Sequence, residues 1–259
     1  MKRKISIFLI VGFVVGLCAL PALTQAQEQK PQLVAIWDVV VYPAHFTEYE
    51  AAMKDYVDLL VKHNPPFTWD AYRTNDFHYY FVVPVENLAA LDKVFNWFGD
   101  VEKKAEKEYA AIEKKMVGTY ESQTVGTFYF RPDLSYVPKE PRITEEETNF
   151  IWWEFFYNLP GMEKEAEEIA HEWQALYKNA GIPDGESIYM GAMWSDLPVL
   201  VVVGGAKSEA DYHVQKEKNL QKFGDKFMSL MKKTMDINRK FVWKTGTILR
   251  ELSYTPKEK

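Results

Sequence analysis

The chain has 259 residues, of which 47% are hydrophobic and 15% aromatic, and its formal net charge at pH 7 is −6. This much apolar material suffices for a buried core, and the acidic balance argues against a nucleic-acid partner, because phosphate binding needs a basic face. The one cysteine, Cys18, lies in the N-terminal segment, so disulfides and cysteine-based metal centres are excluded from the remainder of the chain.

The N-terminal segment has the three parts of a secretory signal peptide. Basic residues 2–4 precede an uncharged run of 16 residues (5–20), and Thr24 and Ala26 stand at positions −3 and −1 of a cleavage site. The run is short for a membrane span, which needs about 20 residues. We therefore expect residues 1–26 to be removed and the mature protein to be periplasmic or secreted, without stable membrane insertion. Removing three positive charges would take the net charge from −6 to −9.

The remainder of the chain contains a duplication. The sequence Leu-Ser-Tyr-x-Pro-Lys-Glu begins at Leu134 and again at Leu252, 118 residues later, and a Gly-Thr pair precedes each copy, at Gly126 and Gly246. This period is longer than the roughly 20–50 residues of solenoid repeats. The duplication therefore predicts two copies of a whole domain.

Both copies have the same order of predicted elements, βαββαβ, which is the order of the ferredoxin-like unit. The first repeat (27–131) has strands at 33–41, 71–73, 77–83 and 122–130 and helices at 46–63 and 87–116. The second repeat (149–259) has strands at 150–157, 187–190, 199–203 and 240–249 and helices at 162–180 and 210–235. Residues 132–148 hold three prolines and an acidic run, which is typical of a solvated linker.

The first strand of each copy is apolar on both faces, as Ile36 and Val40 alternate with Trp37 and Val39. Strands of this kind are buried on both sides. The sequence therefore predicts an α+β fold in which the two repeats pack sheet to sheet as one pseudo-two-fold α/β barrel, with helices outside. In element order, duplication and two-faced strands the chain resembles the dimeric α/β-barrel superfamily, in its tandem-fused form. That superfamily includes monooxygenases, haem-dependent enzymes and lactone isomerases, so the resemblance implies a fold rather than a reaction.

Two carboxylates interrupt the hydrophobic first strands. Asp38 and Glu154 lie mid-strand, where a carboxylate is costly to bury, and they align at an offset of 116 when Trp37 is matched to Trp153. If both face the lumen, they form a candidate catalytic acid and base with separated pKa values. The alternative is that both face the helices or a sheet edge and form salt bridges.

A histidine and several aromatic residues complete the candidate site. His78 alternates with Tyr80 and Val82 on its strand, so it is the histidine most expected to point into the lumen, as a third catalytic candidate. Candidate ligand-binding residues are Trp152, Tyr80, Tyr189 and Trp37, since aromatic walls suit a flat or apolar ligand. Ordinary core packing is the alternative for each.

Haem is the cofactor that the resemblance raises. The fused-repeat branch similar in size and secretion is the chlorite dismutase type, which holds haem through a proximal histidine in the second repeat and has a distal arginine. The second repeat offers His171, on the polar face of its helix, and His213, beside an apolar stripe. Neither has a recognisable haem-ligand context, and no histidine pair has metal-binding spacing. We therefore predict no metal and no cofactor, with haem as an alternative.

These observations predict an exported protein that binds or transforms a small organic molecule in the central barrel cavity. As an enzyme it would use cofactor-independent acid–base or oxygenation chemistry. One alternative is a non-catalytic ligand-binding or structural protein of the periplasm, and another is a haem-binding protein of chlorite-dismutase-like architecture. The oligomeric state is not predicted.

Overall fold

The computed structural model of the chain describes residues 32–194 and 196–256, so the predicted signal peptide lies outside the described residues. The first half consists of β1 (Gln32–Val41), α1 (Phe46–Lys62), β2 (Asp70–Thr74), β3 (His78–Val85), α2 (Leu88–Lys104), α3 (Glu106–Met116) and β4 (Tyr120–Phe130). The second half consists of β5 (Phe150–Asn158), α4 (Glu163–Ala180), β6 (Ser187–Met193), β7 (Val199–Ala206), α5 (Glu209–Phe223), α6 (Asp225–Asp236) and β8 (Asn238–Ile248). No helix among these residues is long and apolar enough to cross a bilayer.

The second helix of each half is divided in two, where the sequence predicted one continuous helix. The break falls at Ala105 in the first half and at Gly224 in the second. Gly224 has φ 58° and ψ −147°, a conformation that glycine reaches readily and other residues rarely adopt. An isolated glycine in a helical pattern is a signal of such a break, but Ala105 carries no signal of this kind, so this division was not predictable there.

The eight strands form a closed antiparallel barrel in the order β1-β3-β2-β8-β5-β7-β6-β4, which confirms the predicted fold. The two halves join at two seams, β2 with β8 and β4 with β6. A glycine lies at each seam: a Cβ on Gly246 would stand 2.1 Å from the carbonyl oxygen of Arg73, and a Cβ on Gly126 would stand 2.0 Å from Cε3 of Trp194. The duplicated Gly-Thr pairs therefore mark the strands where the halves meet.

The duplicated Leu-Ser-Tyr sequence closes the same seams. Ser135 Oγ accepts a hydrogen bond from the backbone N–H of Ile188 at 2.8 Å, and Ser253 Oγ accepts one from Ala71 at 2.9 Å. The leucine before each serine is 1% exposed. The start of the predicted linker is therefore packed against the second half rather than solvated, because its serine and leucine are part of the seam.

Alternate residues of each strand face either the barrel interior or the helices. On β1 the even-numbered residues face the interior, whereas on β5 the odd-numbered residues do. The interior is packed with aromatic and β-branched side chains from both halves, and a separate layer of side chains lies between each half's sheet and its own helices. The burial of both strand faces thus agrees with the apolar pattern of the sequence.

Candidate functional site

A cavity of about 180 Å³ lies outside the barrel, between the sheet and the helices of the second half. Residues of β5, β6, β7, α4, α5 and α6 contribute to its wall. Most of the wall is apolar, including Phe156, Ile169, Ala170, Leu200, Val202, Phe223, Phe227 and Met231. An enclosed apolar wall with a few polar groups is the usual composition of a small-molecule site. The larger cavity therefore lies outside the barrel and not at its centre, where the sequence predicted the ligand site.

The register of the first strands explains this difference. On β1, Ile36 pairs with Gly126, and on β5, Ile151 pairs with Gly246. Since the two glycines are equivalent in the duplication, the equivalent positions of β1 and β5 differ by 115 (151 − 36). The offset of 116 expected from the sequence is therefore wrong for this strand, and a shift of one residue reverses the face of every side chain.

Asp38 and Glu154 consequently lie on opposite faces of the barrel wall. The counterpart of Asp38 is Trp153, in the interior, and the counterpart of Glu154 is Val39, in the helix layer. The expected acid–base site made from Asp38 and Glu154 together is therefore wrong. Glu154 instead lines the 180 Å³ cavity, with the predicted ligand-binding residue Trp152.

Glu186, from the segment before β6, is the second glutamate of this cavity. Neither carboxyl forms an ion pair with another described residue. Burial raises the pKa of Glu154, and the nearby ammonium of Lys216 partly opposes that rise. Burial also raises the pKa of Glu186, to about 8; the hydrogen bond from Tyr177 opposes this rise and the charge of Glu154 adds to it. At neutral pH, Glu186 is therefore mostly protonated.

Tyr177 of α4 holds the Glu186 side chain in place. Its hydroxyl donates a hydrogen bond to Oε1 of Glu186, and burial holds the pKa of Tyr177 well above its ordinary value. Because Oε1 accepts this hydrogen bond, the proton of the neutral carboxyl belongs on Oε2. Glu186 thus has one oxygen that accepts a hydrogen bond from Tyr177 and one O–H group that is available to donate to a ligand.

The cations near the cavity are engaged elsewhere. Arg142 contacts Asp184 at 2.9 Å and Asp211 at 2.9 Å. Lys216 donates a hydrogen bond to the Tyr212 hydroxyl at 2.9 Å, and its ammonium lies 5.3 Å from the centre of that ring. The charge of Lys216 therefore acts on both glutamates from a distance, but no cationic side chain among the described residues forms an ion pair with them.

Trp152 forms one wall of the cavity by lying flat on β7. It pairs with Gly204, and a Cβ on that glycine would stand 2.3 Å from Cζ2 of the indole. The equivalent residue in the first half is Trp37, which pairs with Phe81 and packs against Phe98, with 6.3 Å between ring centres. Trp37 therefore belongs to the filled core of the first half, away from both cavities, and its predicted ligand contact is not supported by this position.

Asp38 and His78 lie together at one end of the barrel interior. Oδ1 of Asp38 is 2.7 Å from Nδ1 of His78, and Asp38 is 8% exposed. Nε2 of His78 lies 3.8 Å from Asp76, whose carboxylate also binds the ammonium of Lys244 at 2.8 Å. The structure thus brings together two of the three predicted catalytic residues, in a cluster of carboxyl, imidazole and ammonium groups separate from the 180 Å³ cavity. Their catalytic role stays a prediction.

Tyr80 and Tyr189 line a smaller cavity of about 80 Å³ in the barrel interior. The surrounding side chains are apolar or aromatic, and burial holds the pKa of Tyr80 well above its ordinary value. The central space expected from the sequence is thus largely filled by side chains. Ligand binding by these two tyrosines stays a prediction.

The donors of the second half do not fit a histidine-ligated haem. His171 on α4 is exposed, and the side chain of His213 on α5 is 59% exposed; neither lines the cavity. Among the described residues, no group of three His, Cys, Asp or Glu side chains is placed to hold a metal ion. A haem in this cavity would thus lack the axial histidine that the resemblance implies. The expectation that no cofactor is needed stays a prediction.

Glu186 was not found from the sequence, although the duplication contains a signal for it. Tyr136 of the first copy pairs with Glu186, and Tyr254 of the second copy pairs with Trp69. Glu186 is therefore the counterpart of Trp69, and a glutamate in one copy opposite a buried tryptophan in the other is a difference that points to a site.

Several solved structures share this fold at low sequence identity. A protein described as anthrone oxidase-like has a TM-score of 0.61 and 8% identity over 86% of this chain and 93% of its own. A proposed monooxygenase from Fusobacterium nucleatum has a TM-score of 0.51 and 14% identity over 85% and 93%. A variant of chlorite dismutase from Candidatus Nitrospira defluvii has a TM-score of 0.49 and 12% identity over 85% and 93%. Likeness at this level shows the fold alone.

No family model matches the sequence, and no curated protein matches it at a significant level. The architecture is a closed barrel of two ferredoxin-like units in one polypeptide, which is the fold that the sequence predicted.

Proposed function

We propose that the cavity of the second half binds a small, mostly apolar organic molecule and that Glu154 removes a proton from it. The observation that carries this proposal is the pair of half-buried carboxyls without ion-pair partners among the described residues, in a mostly apolar cavity. A carboxylate taken out of water is a stronger base than one on the surface. Glu154 and Glu186 differ in their surroundings, and such a pair divides into a base and an acid.

The binding part of the proposal is tested with 2-tetralone, a bicyclic ketone with acidic C–H groups, by isothermal titration calorimetry. Ala170 of α4 lines the cavity, and Ala170→Phe is expected to fill it and weaken binding by about tenfold or more. Ala175 lies on the exposed side of the same helix, so Ala175→Phe is the matched control. Equal binding by both variants would show that the ligand does not occupy this cavity.

The chemical part is tested by exchange of the ketone's acidic hydrogens for deuterium in D₂O, followed by proton NMR. Glu154→Gln keeps the shape of the side chain but removes the base, and the exchange rate is expected to fall by about 100-fold or more. Glu165 is an exposed glutamate of α4, so Glu165→Gln is expected to exchange like the wild type. Unchanged exchange in Glu154→Gln would show that Glu154 is not the base, and wild-type exchange no faster than in protein-free buffer, with binding intact, would favour the non-catalytic binding protein.

Oxygenation is the second chemistry in question, and the fold shared with an anthrone oxidase-like protein supports testing it. In that reaction a base takes a proton from the CH₂ group of anthrone, the carbanion reduces O₂, and the CH₂ becomes C=O with release of one water. If the proposed base serves this chemistry, the wild type is expected to consume one O₂ per anthrone, and Glu154→Gln is expected to consume none. Deuterium exchange without O₂ consumption would restrict the protein to proton transfer.

Export is part of the proposal and rests on the signal-peptide pattern of residues 1–26. N-terminal sequencing of the protein recovered from its host is expected to begin at Gln27. A chain that begins at Met1 would contradict it.

A further inference from the structure

We infer that Glu186, held by Tyr177, donates a hydrogen bond to an oxygen of the ligand, and that the substrate class is a compound whose reacting group becomes an enolate or a phenolate. This inference rests on the proposed function, because it assigns the second carboxyl of the same cavity.

The position of Glu186 is fixed from two sides. Its backbone N–H and C=O each form a hydrogen bond of 2.9 Å with Tyr136, so the chain before β6 is tied to the end of the first half. Its side chain lines the cavity, and the Tyr177 hydroxyl holds Oε1. A donor whose backbone and side chain are both fixed needs little rearrangement when charge develops on the ligand.

The surroundings of Glu186 favour its neutral form. The groups that act on it are Tyr177 of α4, Glu154 of β5, Asp184 of its own loop and Lys216 of α5. Two of these four carry negative charge, and the ammonium of Lys216 is hydrogen-bonded to Tyr212 instead. Because the proton of neutral Glu186 belongs on Oε2, that O–H group is the one available to the ligand.

This arrangement matches the charge movement of enolate formation. The Glu154 carboxylate takes a proton from the carbon beside a carbonyl, the C–H electron pair becomes the new C=C bond, and the carbonyl π electrons move to oxygen. One negative charge thus passes from Glu154 to the ligand oxygen, and the net charge of the cavity does not change. A neutral acid that donates to that oxygen stabilises the charge without requiring a buried cation.

If the Tyr177–Glu186 contact is purely structural, a ligand oxygen gains no hydrogen bond from Glu186, and this difference can be measured. The probes are 2-acetylnaphthalene and 2-isopropenylnaphthalene, which have nearly the same shape and differ in a carbonyl oxygen that can only accept a hydrogen bond. At pH 6.5, the wild type is expected to prefer the ketone by about tenfold, the gain from one good hydrogen bond in a mostly apolar cavity. The infrared carbonyl stretch of the bound ketone reports whether it accepts this hydrogen bond.

Three variants test the donor. Glu186→Ala removes it, and the preference for 2-acetylnaphthalene is expected to disappear at every pH. Glu186→Gln keeps an N–H donor that does not ionise, so its preference is expected to persist above pH 8, where the wild type loses the preference as Glu186 becomes charged. Tyr177→Phe removes a hydrogen bond that stabilises ionised Glu186, so this variant is expected to lose the preference at a higher pH than the wild type does. Thermal unfolding of each variant shows that it is folded.

The outcomes separate this inference from the proposed function. Equal binding of the two probes by the wild type, or a preference that survives Glu186→Ala, would overturn the inference and leave ligand binding and proton removal by Glu154 intact. A lack of binding by either probe and by 2-tetralone would instead overturn the proposed function. A pH-dependent preference that is lost in Glu186→Ala and made pH-independent in Glu186→Gln supports the inference.

Discussion

The two halves of the barrel share one fold but fill the layer between sheet and helices differently. In the first half this layer is a solid core, and in the second it contains the 180 Å³ cavity. The difference comes from three equivalent positions, where Val39, Trp69 and Phe81 of the first half correspond to Glu154, Glu186 and Gly204 of the second. The first half thus has a valine and two aromatic side chains at the positions where the second half has two carboxyls and a glycine.

The carboxyl groups of the two layers differ in the same way. In the first half, Glu50 accepts hydrogen bonds from Arg73 at 2.7 Å and from the Tyr79 hydroxyl at 2.8 Å. In the second half, Glu186 has the tyrosine contact from Tyr177 but no arginine. Glu50 is thus the ion-pair partner of an arginine, whereas Glu186, held by a tyrosine in a mostly apolar layer, can exchange a proton near neutral pH.

The largest expected effect comes from removing the equivalent tryptophans. Trp37→Ala is expected to lower the free energy of unfolding by about 3 kcal/mol, because the indole fills a packed core. Trp152→Ala is expected to cost about 1 kcal/mol, because that indole borders existing space. Urea unfolding of both variants measures the difference. Equal losses would contradict the contrast between a filled and an open layer.

The next largest effect is expected when the second half receives a large side chain that the first half has at the equivalent position. Gly204→Phe restores the residue found at Phe81 and is expected to push the Trp152 indole into the cavity, since even a Cβ would stand 2.3 Å from that ring. Affinity for 2-tetralone is expected to fall by about 100-fold, which is about 2.7 kcal/mol. The control is Gly99→Ala in α2, where nothing lies within 4 Å of the added Cβ. Retained affinity in Gly204→Phe would place the ligand elsewhere.

The sequence was enough to predict the barrel but not the site. Duplication, element order and strands apolar on both faces determine which surfaces must be buried, and these are properties of long segments. The site depends instead on the face of single residues. Matching β1 to β5 one residue out of register makes Glu154 equivalent to Asp38, although their side chains lie on opposite faces of the barrel wall. Trp37 and Trp152 look alike in the sequence, and only their cross-strand partners, Phe81 and Gly204, distinguish a core residue from a cavity wall.

A smaller effect is expected in the pH dependence of stability. The pKa of Glu186 is about 8 in the folded protein, against an ordinary value of 4.5. The folded state therefore binds more protons than the unfolded state between these values, and stability falls as pH rises from 4.5 to 8. Glu186→Gln cannot ionise, so its stability relative to the wild type is expected to rise steadily between pH 4.5 and pH 8. Urea unfolding at pH 4.5, 6 and 8 measures the effect.

The exposed Glu165→Gln is the control for this measurement, and its stability is expected to follow the wild type at each pH. In the first half, Glu50 is held by Arg73, so Glu50→Gln is expected to show no comparable gain at pH 8. A gain in Glu50→Gln as large as that in Glu186→Gln would remove the electrostatic distinction between the two layers.

The smallest expected effect concerns Lys216, whose ammonium acts on both glutamates from the aromatic side of the cavity. Its charge lowers the pKa of Glu154 and of Glu186, so Lys216→Met is expected to raise both. The pH at which the preference for 2-acetylnaphthalene is lost is expected to be about half a unit higher in Lys216→Met than in the wild type, because an exposed charge is screened by solvent. Methionine keeps an apolar side chain over the Tyr212 ring, so packing changes little.

Lys218→Met, on the exposed face of α5, is the matched control. The shift is expected to shrink as salt is added, since screening weakens the same Coulomb interaction that the substitution removes. A shift to lower pH would mean that Lys216 acts on Glu186 by holding it in position rather than through its charge.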